Sequence, residues 1–540
     1  MAERLHNAFL RRLRSFIPIE FKKEVKELSV MALPVFLTRI NIYLMGVVSA
    51  LYCGHLGTIY LDAVALATAI INVSAISIAY GLTSACATLV SQTFGSGNLK
   101  QVGVIAQRAF LILMLACFPC WAVLINTESL LIAIKQNPEV ARLSQLYVKV
   151  YMVALPALFT YITEEAYLQN QGIIWPLVIS GAVGSVTNAL FNYIFLFPLN
   201  LGVVGSAAAN VTAQYTMAIM LFVYIRYKGL HKDTWHGLSM DCLQDWGDFM
   251  WLGIPGILML SAEWWVFELG AFLAGLINET ELASQSVTFE LANLALMFSL
   301  GFSVAGGVRV GNALGAGSPE QAKLSAKISI ACAVCVSVCL AVIIGSSKDD
   351  ISYIFSNDQQ VRERVSRIMV LYAPFSLLDA TAAAAGSIIR GLGKQVIGAA
   401  GSLVGYYGIG VTIGVSLMFA AKLGIFGFWT GLLTCVFLQS VFFIVFLIKV
   451  NWVKAAEEAQ IRAGIQMYST NNDALQQAEN VEMNVLGLHT DTETLAENLP
   501  NSTARNALPL GVLVFRRGLT LLVMFIILAA GIALSVIVKR

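Results

Sequence analysis

Charged side chains are scarce in this chain of 540 residues, and their scarcity indicates its class before any motif is considered. Asp, Glu, Lys and Arg together make up 12% of the residues, whereas soluble domains contain roughly 25%. Hydrophobic residues make up 58%, and the mean hydropathy is +0.75. This composition excludes an ordinary soluble protein and predicts a polytopic membrane protein. The net charge of +2 gives no indication of a nucleic-acid partner.

Motifs for ATP hydrolysis and for metal-dependent hydrolysis are also missing from the sequence. The run from Gly391 to Lys394 has neither the spacing nor the hydroxyl of a phosphate-binding loop. No His-Glu-x-x-His motif occurs among the five histidines. The Cys-x-x-Cys pairs that begin at Cys117 and Cys332 lie in apolar stretches without a second ligand pair, so helix packing explains them better than a metal. We therefore expect a protein that is not an enzyme and that holds neither a metal nor another cofactor.

Long apolar stretches, in contrast, are abundant. Stretches of about 20 residues, the length that crosses a bilayer as a helix, recur roughly thirteen times between Leu28 and the C-terminus. The first is a full span behind a long basic segment, unlike a cleavable signal peptide. The sequence therefore predicts an all-α membrane protein with about thirteen transmembrane helices.

The chain repeats itself at a distance of about 221 residues. Pro34 corresponds to Pro255, and Gly172 corresponds to Gly393. With a slip of one residue, the glycine-rich run 95–97 corresponds to the run 315–317, and both runs predict tight turns between helices. Internal repeats in an apolar chain are typical of transporters built from two halves. Six spans per repeat bring both halves into the membrane from the same side, which makes them parallel repeats about a pseudo-two-fold axis along the membrane normal.

Apolar and polar stretches divide the chain into six parts. They are a basic cytoplasmic N-terminus (1–27), an N-lobe (28–226), a cytoplasmic inter-lobe loop (227–248), a C-lobe (249–450), a polar and disordered cytoplasmic segment (451–505), and an extra transmembrane helix (506–540). Lys and Arg are concentrated in the first and third parts, which indicates the cytoplasmic side. After thirteen spans, the C-terminus is then extracellular.

Four carboxylates lie inside predicted spans of the second half: Glu263, Glu268, Glu290 and Asp379. A charged group at the centre of a bilayer costs about 2.5–3.5 kcal/mol on insertion scales, so such residues mark ion or proton pathways. The corresponding residues of the first half are apolar. This asymmetry predicts ion coupling in the C-lobe. Hydrogen bonds between helices by protonated acids are the alternative, and for Glu268, on another face of the helix from Glu263, the two alternatives stay equally open.

Trp264 and Trp265 follow Glu263 directly, deep inside the span. The aromatic belt at membrane interfaces does not account for them. A ring beside an acid favours a cation, with roughly 1–2 kcal/mol of cation–π attraction. Packing alone explains these rings equally well. In the first half, Asn72 and Gln92 are weaker polar candidates.

Six short motifs stand out in the sequence: the runs 53–57, 91–95, 242–246, 263–265, 309–317 and 405–407. They resemble the multidrug and toxin extrusion (MATE) family, and most closely its animal branch. The resemblance extends from about residue 28 to 455 and includes the extra last helix. It implies two six-helix lobes with alternating access, and proton-coupled export of organic cations across the plasma membrane by a monomer embedded in lipid. Sodium coupling, which occurs in the wider family, stays open.

The resemblance also implies roles for individual residues. Glu263, Glu268, Glu290 and Asp379 would be the lobe acids that bind protons and substrate. Asn72 and Trp264 would line the substrate cavity, and Cys53 would be a thiol-sensitive position.

The cavity departs from the family pattern at several positions. Arg39 stands in the first span where close relatives have Gln, and Glu164-Glu165 is unusual for the family. Phe267, Phe289 and Leu296 replace tyrosines of the cavity, and Asn293 takes an apolar place. A guanidinium near a cation site repels substrate unless an acid neutralises it, so we expect Arg39 to pair with a cavity acid. The alternative is that Arg39 extends towards the cytoplasm.

Three functions agree with these residues. Proton-coupled antiport of organic cations is favoured by the acid cluster. Export of neutral or anionic metabolites on the same scaffold is favoured by Arg39. A lipid-carrier flippase requires a basic central cavity, which the acids oppose.

Overall fold

The computed structural model describes residues 19–235, 237–349, 353, 358–465 and 509–538. In these ranges, thirteen helices are long and apolar enough to cross a membrane. Helices α1–α12 are Ile19–Leu56, Thr58–Gly95, Leu99–Leu124, Pro138–Gln169, Trp175–Leu196, Gly202–Tyr227, Trp246–Gly275, Glu279–Gly315, Pro319–Ser346, Gln359–Gly391, Gln395–Ala420 and Ile425–Lys449. The short helix α13 is Trp452–Arg462, and α14, the thirteenth span, is Leu510–Val538.

Helices α1–α6 and α7–α12 form two lobes, each with its own buried core. The N-lobe core includes Phe159 and Tyr161 of α4, both almost fully buried. The C-lobe core surrounds Trp429 of α12, whose ring lies 6.0 Å from Tyr372 and 5.3 Å from Phe375 of α10. The predicted architecture of two six-helix lobes with one additional span is therefore confirmed.

Helix α14 lies outside both lobes and packs on α3. The Phe525 ring contacts the Phe118 ring at 4.8 Å, and Asn126 Nδ2 donates to the Gly531 carbonyl at 2.9 Å. At its other end, Arg517 donates to the Leu243 carbonyl at 2.8 Å, beside the segment that joins the lobes. The outer face of α14 is apolar and exposed, as expected for a helix that faces lipid.

The lobes touch backbone to backbone where α2 and α8 end. A Cβ on Gly95 would lie 2.0 Å from the Asn312 carbonyl oxygen, and a Cβ on Gly315 would lie 1.8 Å from the Gln92 carbonyl oxygen. The two contacts are equivalent, since Asn312 and Gly315 follow Gln92 and Gly95 at the same distance along the repeat. We call this end of the bundle the closed end.

The glycine runs at the closed end therefore have two functions. Gly97 and Gly317 have positive φ angles of 81° and 70° and form the tight turns that the sequence predicts. The first glycine of each run, Gly95 or Gly315, also lets two helices approach closely. The spacing of the glycines alone does not predict this second function.

Hydrogen bonds reinforce the contact of the lobes at the closed end. Thr88 Oγ1 donates to the Arg390 carbonyl and Gln92 Nε2 donates to the Gly391 carbonyl, both at 2.8 Å. Gln395 Nε2 donates to Thr88 Oγ1 at 2.8 Å. Farther along α2, the segment Thr58–Ile71 packs on helices of its own lobe. The lobes are thus in contact from the closed end to about the middle of the helices, where a Cβ on Gly256 would lie 2.6 Å from the Gly81 carbonyl oxygen, and we call the region between the lobes beyond that level the cleft.

Wide π-helical turns interrupt two of the spans. One is Asn72–Ile76 in α2, and another is Val404–Val411 in α11. A π turn changes the backbone hydrogen-bonding pattern, and such turns are frequent at functional sites. In α2, the Val73 carbonyl accepts a hydrogen bond from Trp265 Nε1 of the other lobe at 3.2 Å.

Two predicted boundaries are wrong. Helix α1 begins at Ile19, so residues 19–27 are not part of a separate N-terminal segment. The segment predicted to be disordered from residue 451 contains α13, where three buried alanines pack against the C-lobe. Alanine favours helix, but the many polar residues of this segment led to the prediction of disorder. Residues 1–18 and 466–508 lie outside the described part of the chain.

We expect Gly315→Val to push the lobes apart at the closed end. A side chain cannot fit 1.8 Å from a backbone oxygen, and overpacking costs about 1–3 kcal/mol. The distance between spin labels on Lys100→Cys and Lys323→Cys, in a background without the exposed native cysteines, would measure the separation. Gly46→Val is the control, because nothing lies within 4 Å of a Cβ at Gly46. An unchanged distance in Gly315→Val would contradict the proposed contact.

Candidate functional site

The four predicted acids lie on three helices of the C-lobe. Glu263 and Glu268 are on α7, Glu290 is on α8 and Asp379 is on α10. The structure groups them into two pairs. Asp379 interacts electrostatically with Glu263, and Glu268 with Glu290. Asp379 is 7% exposed, and the other three are half-buried. Glu268 follows Glu263 at an offset of five along α7, which places them on different faces and explains why they join different pairs.

A cation accompanies the pair of Glu263 and Asp379, which we call the inner pair. Its role was not predicted from the sequence. Arg390 lies in the last turn of α10, and its guanidinium interacts with Glu263. It follows Asp379 by eleven residues, which is about three helical turns, so both side chains lie on the same face of α10. This offset of eleven residues is the sequence feature from which Arg390 could have been predicted to lie near Asp379.

The other pair, Glu268 and Glu290, which we call the outer pair, is connected to the N-lobe. Tyr43 of α1 donates its hydroxyl proton to Oε2 of Glu290 at 2.7 Å. The short distance is typical of a hydrogen bond to a carboxylate. Tyr43 was missed because no pattern within α1 identifies a partner 247 residues away.

Arg39 pairs with an acid, as predicted, and that acid is Glu165 of α4. Arg39 Nη2 donates to Glu165 Oε1 at 2.7 Å, and Nη1 donates to the Tyr80 hydroxyl at 2.9 Å. The guanidinium also lies over the Tyr80 ring, 5.3 Å from its centroid. The alternative in which Arg39 extends towards the cytoplasm is wrong, because both of its bonds are to residues of the N-lobe interior. Because Glu165 neutralises Arg39, the N-lobe wall carries little net charge here.

Aromatic rings of both lobes surround these polar groups. Trp264 lies 6.2 Å from Tyr80 across the cleft, measured between ring centroids. Phe267 lies 5.3 Å from Phe289 and 6.0 Å from Trp429. Such faces provide cation–π contacts to a positively charged ligand.

The positions of the other predicted site residues give less information about their roles. Asn72 begins the π turn of α2 and is half-buried. Asn293 is half-buried on α8, three residues after Glu290. Cys53 is fully buried, so a reagent reaches its thiol only after the helices move. The substrate contacts of Asn72 and Asn293 and the thiol sensitivity of Cys53 stay predictions.

A second polar cluster joins the lobes at the closed end. Glu24 of α1 accepts hydrogen bonds from Arg309 Nε and Nη2 of α8 at 2.5 and 2.6 Å. Gln321 and Ser325 of α9 also donate to Glu24, at 2.7 and 2.6 Å. This buried carboxylate is therefore well satisfied and links the first helix of the N-lobe to the C-lobe.

Helix α13 provides a third link at the closed end. Arg462 donates to Gln92 Oε1 of the N-lobe and to the Leu392 carbonyl of the C-lobe, both at 3.0 Å. Burial lowers the pKa of Arg462 from its ordinary value, whereas Glu458 acts in the opposite direction. Burying a charge is costly unless it is hydrogen-bonded, so these bonds determine whether α13 remains docked.

In the described part of the chain, no group of three or more His, Cys, Asp or Glu residues is arranged to hold a metal ion. All described cysteines are free thiols. The chemistry of the cleft is therefore that of carboxylates, two guanidinium groups, phenols and aromatic faces.

The MatE family model matches residues 34–194 and 255–416, so it matches each repeat once, at the same distance of 221 residues. Multidrug and toxin extrusion protein 1 of Danio rerio is 53% identical over 98% of this chain and 93% of the relative. The protein of the same name from Homo sapiens is 44% identical over 96% and 94%.

A crystal structure of the eukaryotic MATE transporter AtDTX14 superimposes with a TM-score of 0.80 and 27% identity, covering 82% of this chain and 100% of that chain. Together with the two lobes and their cleft, these matches show that the chain is a transporter of the MATE family, whose relatives are named for multidrug and toxin extrusion.

Proposed function

We propose that the protein is a secondary active antiporter that exports organic cations in exchange for protons. The observation that carries this proposal is the arrangement of charge in the cleft. Two carboxylate pairs of the C-lobe lie near a wall of the N-lobe where Arg39 is already neutralised by Glu165. The names of the relatives in the MATE family support the same function.

A pair of carboxylates suits exchange for a simple electrostatic reason. Two like charges in a partly desolvated site repel each other, and either a proton or a cation relieves the repulsion. One site can therefore alternate between the two ligands. Protonation from the outside would release an organic cation, and loss of the proton to the cytoplasm would allow the next cation to bind.

In alternating access, the cleft opens to one side of the membrane at a time, which determines the side on which each ligand binds or leaves. We place the closed end in the cytoplasm, because Lys100, Lys323 and Lys394 lie there and basic residues are enriched on that side. The N-terminus is then cytoplasmic, the C-terminus is extracellular, and the cleft opens outwards. One chain supplies both lobes, so we expect a functional monomer in the plasma membrane, surrounded by lipid.

The ion pair of Arg39 also favours cation export over the alternatives. Export of anionic metabolites requires a cleft with excess positive charge, whereas Glu165 neutralises Arg39 at 2.7 Å. A lipid-carrier flippase requires a basic cavity, which the four acids of the C-lobe oppose. Cation export is therefore the function that this cleft supports best.

We expect Glu263→Gln to abolish proton-driven transport, since the inner pair then has only one titratable group. Uptake of radiolabelled tetraethylammonium into proteoliposomes with an acidic interior would measure the loss. A reduction of about tenfold or more corresponds to the loss of at least ~1.4 kcal/mol of coupling.

Glu279→Gln is the matched control, because Glu279 is exposed at the start of α8, outside the two pairs. Wild-type uptake that responds to the pH gradient and survives Glu263→Gln would contradict the role of the inner pair. Wild-type uptake driven by a sodium gradient, without response to pH, would replace the proton by sodium.

We expect Arg462→Ala to destabilise the closed end. The substitution removes hydrogen bonds to both lobes from a charged donor, which typically contribute about 1.5–3 kcal/mol. A cysteine in place of Thr88, which lies at the lobe contact, should then react faster with a maleimide. The rate of labelling in membranes measures how often the closed end opens.

Lys454→Ala tests whether the effect is specific to Arg462. Lys454 is exposed on the same helix, so its loss changes charge without removing a link between the lobes. Equal labelling rates in wild type, Arg462→Ala and Lys454→Ala would show that α13 does not hold the closed end.

A further inference from the structure

A polar cavity lies between the lobes, inside the zone where they are in contact. Its volume is about 110 Å³, and both lobes line it, with α2 and α4 on one side and α8 and α10 on the other. Along α2, the lining residues lie between Gly81, where the lobes meet at the edge of the cleft, and Gln92 at the closed end. The cavity therefore lies on the route from the cleft to the closed end.

The cavity has the size and the polarity to hold water. A water molecule needs roughly 10–15 Å³ and two to four polar partners. The polar side chains of the wall are those of Ser84, Thr88, Ser91, Gln169, Asn170, Ser387 and Arg390. Protons pass readily from one water molecule to the next along a hydrogen-bonded chain. A water-filled cavity at this position is therefore a potential leak path for protons.

Arg390 stands between this cavity and the inner pair. Its backbone carbonyl accepts a hydrogen bond from Thr88, another residue of the cavity wall, at 2.8 Å. Its guanidinium extends towards α7, where it interacts with Glu263 and donates to Met259 Sδ at 3.8 Å. Among the described residues that line the cavity, only Arg390 carries a charge.

The charges on the two sides of Arg390 differ in sign. On the side of the cleft are Glu263 and its partner Asp379, and neither of them lines the cavity. On the side of the closed end, Arg462 of α13 donates to the carbonyl of Leu392, two residues after Arg390, at 3.0 Å. A proton that leaves the inner pair towards the closed end thus meets two guanidinium groups.

We propose that Arg390 is an electrostatic barrier that keeps the protons of the inner pair from crossing the closed end while the lobes are in contact there. A fixed positive charge excludes protons and other cations from a passage that admits water, as in water-selective channels. A guanidinium suits this role because it does not lose its charge by deprotonation. Protons then reach the cytoplasm only when the lobes separate. This inference rests on the proposed antiport and assigns Arg390 a role in its coupling.

The test measures the proton leak without any organic cation. Proteoliposomes with an acidic interior receive potassium and valinomycin to clamp the membrane potential, and trapped pyranine reports the internal pH. A unit charge about 10 Å from a proton changes the occupancy of the protonated site by about tenfold at an effective dielectric constant of about 20. We therefore expect the pH gradient to decay about tenfold faster with Arg390→Gln than with wild type. Arg390→Lys retains the charge and should remain close to wild type.

A second variant keeps Arg390 and adds the opposite charge to the cavity. Gln169 lines the cavity, and Gln169→Glu places a carboxylate of the same size there. We expect this variant to leak protons as well, because the carboxylate attracts protons and neutralises the guanidinium. Gln101→Glu makes the same change at the start of α3, outside the cavity, and should not leak. Gln169→Glu decides the question where Arg390→Gln does not fold.

A purely structural role of Arg390 predicts a different result. If the substitution only loosened the contact of the lobes, radiolabelled sodium would cross the membrane together with protons. A leak of protons from vesicles that retain sodium therefore supports the barrier, and so does its suppression in Arg390→Lys. Decay at the wild-type rate in Gln169→Glu and in folded Arg390→Gln would overturn the proposal, as would a proton leak that sodium accompanies.

The outcomes also separate the barrier from the proposed antiport, because the leak assay contains no organic cation. Tetraethylammonium uptake driven by pH in wild type, with no proton leak in either variant, would leave the antiport intact and refute the barrier. A selective proton leak in the variants, together with a wild type that does not exchange tetraethylammonium for protons, would support the barrier and refute the antiport.

Discussion

The backbone contact between α2 and α8 at Gly95 and Gly315 is the constraint on which the remaining architecture depends. It brings two structurally equivalent helix ends together across the pseudo-two-fold axis, with no room for a side chain. From there the lobes stay in contact to about the middle of the helices, where a Cβ on Gly301 would lie 2.5 Å from the Ala32 carbonyl oxygen, and beyond that level they border the cleft. Polar links from Glu24 and Arg462 reinforce this end. These links are hydrogen bonds and ion pairs, and all of them lie at one end of the bundle.

Charge in the cleft is arranged asymmetrically on a symmetric scaffold. The C-lobe supplies the two acid pairs, and the N-lobe supplies Arg39 with its partner Glu165. A charge inside a membrane protein is tolerated only where it faces a cavity or another charge, and each of these groups satisfies that condition. Tyr43 and Arg390 extend the arrangement, one towards the opposite lobe and the other towards the closed end. The site thereby connects the opposite lobe and the closed end.

Some parts of the site could be predicted and others could not, and the difference depends on the distance along the chain between partners. Acids within apolar spans are conspicuous, so Glu263, Glu268, Glu290 and Asp379 were identified as candidates from composition alone. The need of Arg39 for an acid was also predictable from the cost of an unpaired charge. Glu165 as that acid, Tyr43 as the partner of Glu290 and Arg390 as the neighbour of Glu263 required the fold, because each pair joins different helices. The helix α13 was missed because its alanine face is stabilised only by packing against the C-lobe, which the sequence of the helix does not reveal.

By itself, the sequence determined the class of the protein, the number of spans, the twofold repeat and the half of the chain that carries the acids. These properties follow from local composition and from the length needed to cross a bilayer, both of which are independent of packing. Only the tertiary structure decided which acids form pairs, which charges neutralise each other and which end of the bundle is closed. Those properties depend on distances of a few ångströms between helices, since hydrogen bonds and ion pairs form only at such separations. Patterns along the chain do not reveal which side chains of different helices come that close.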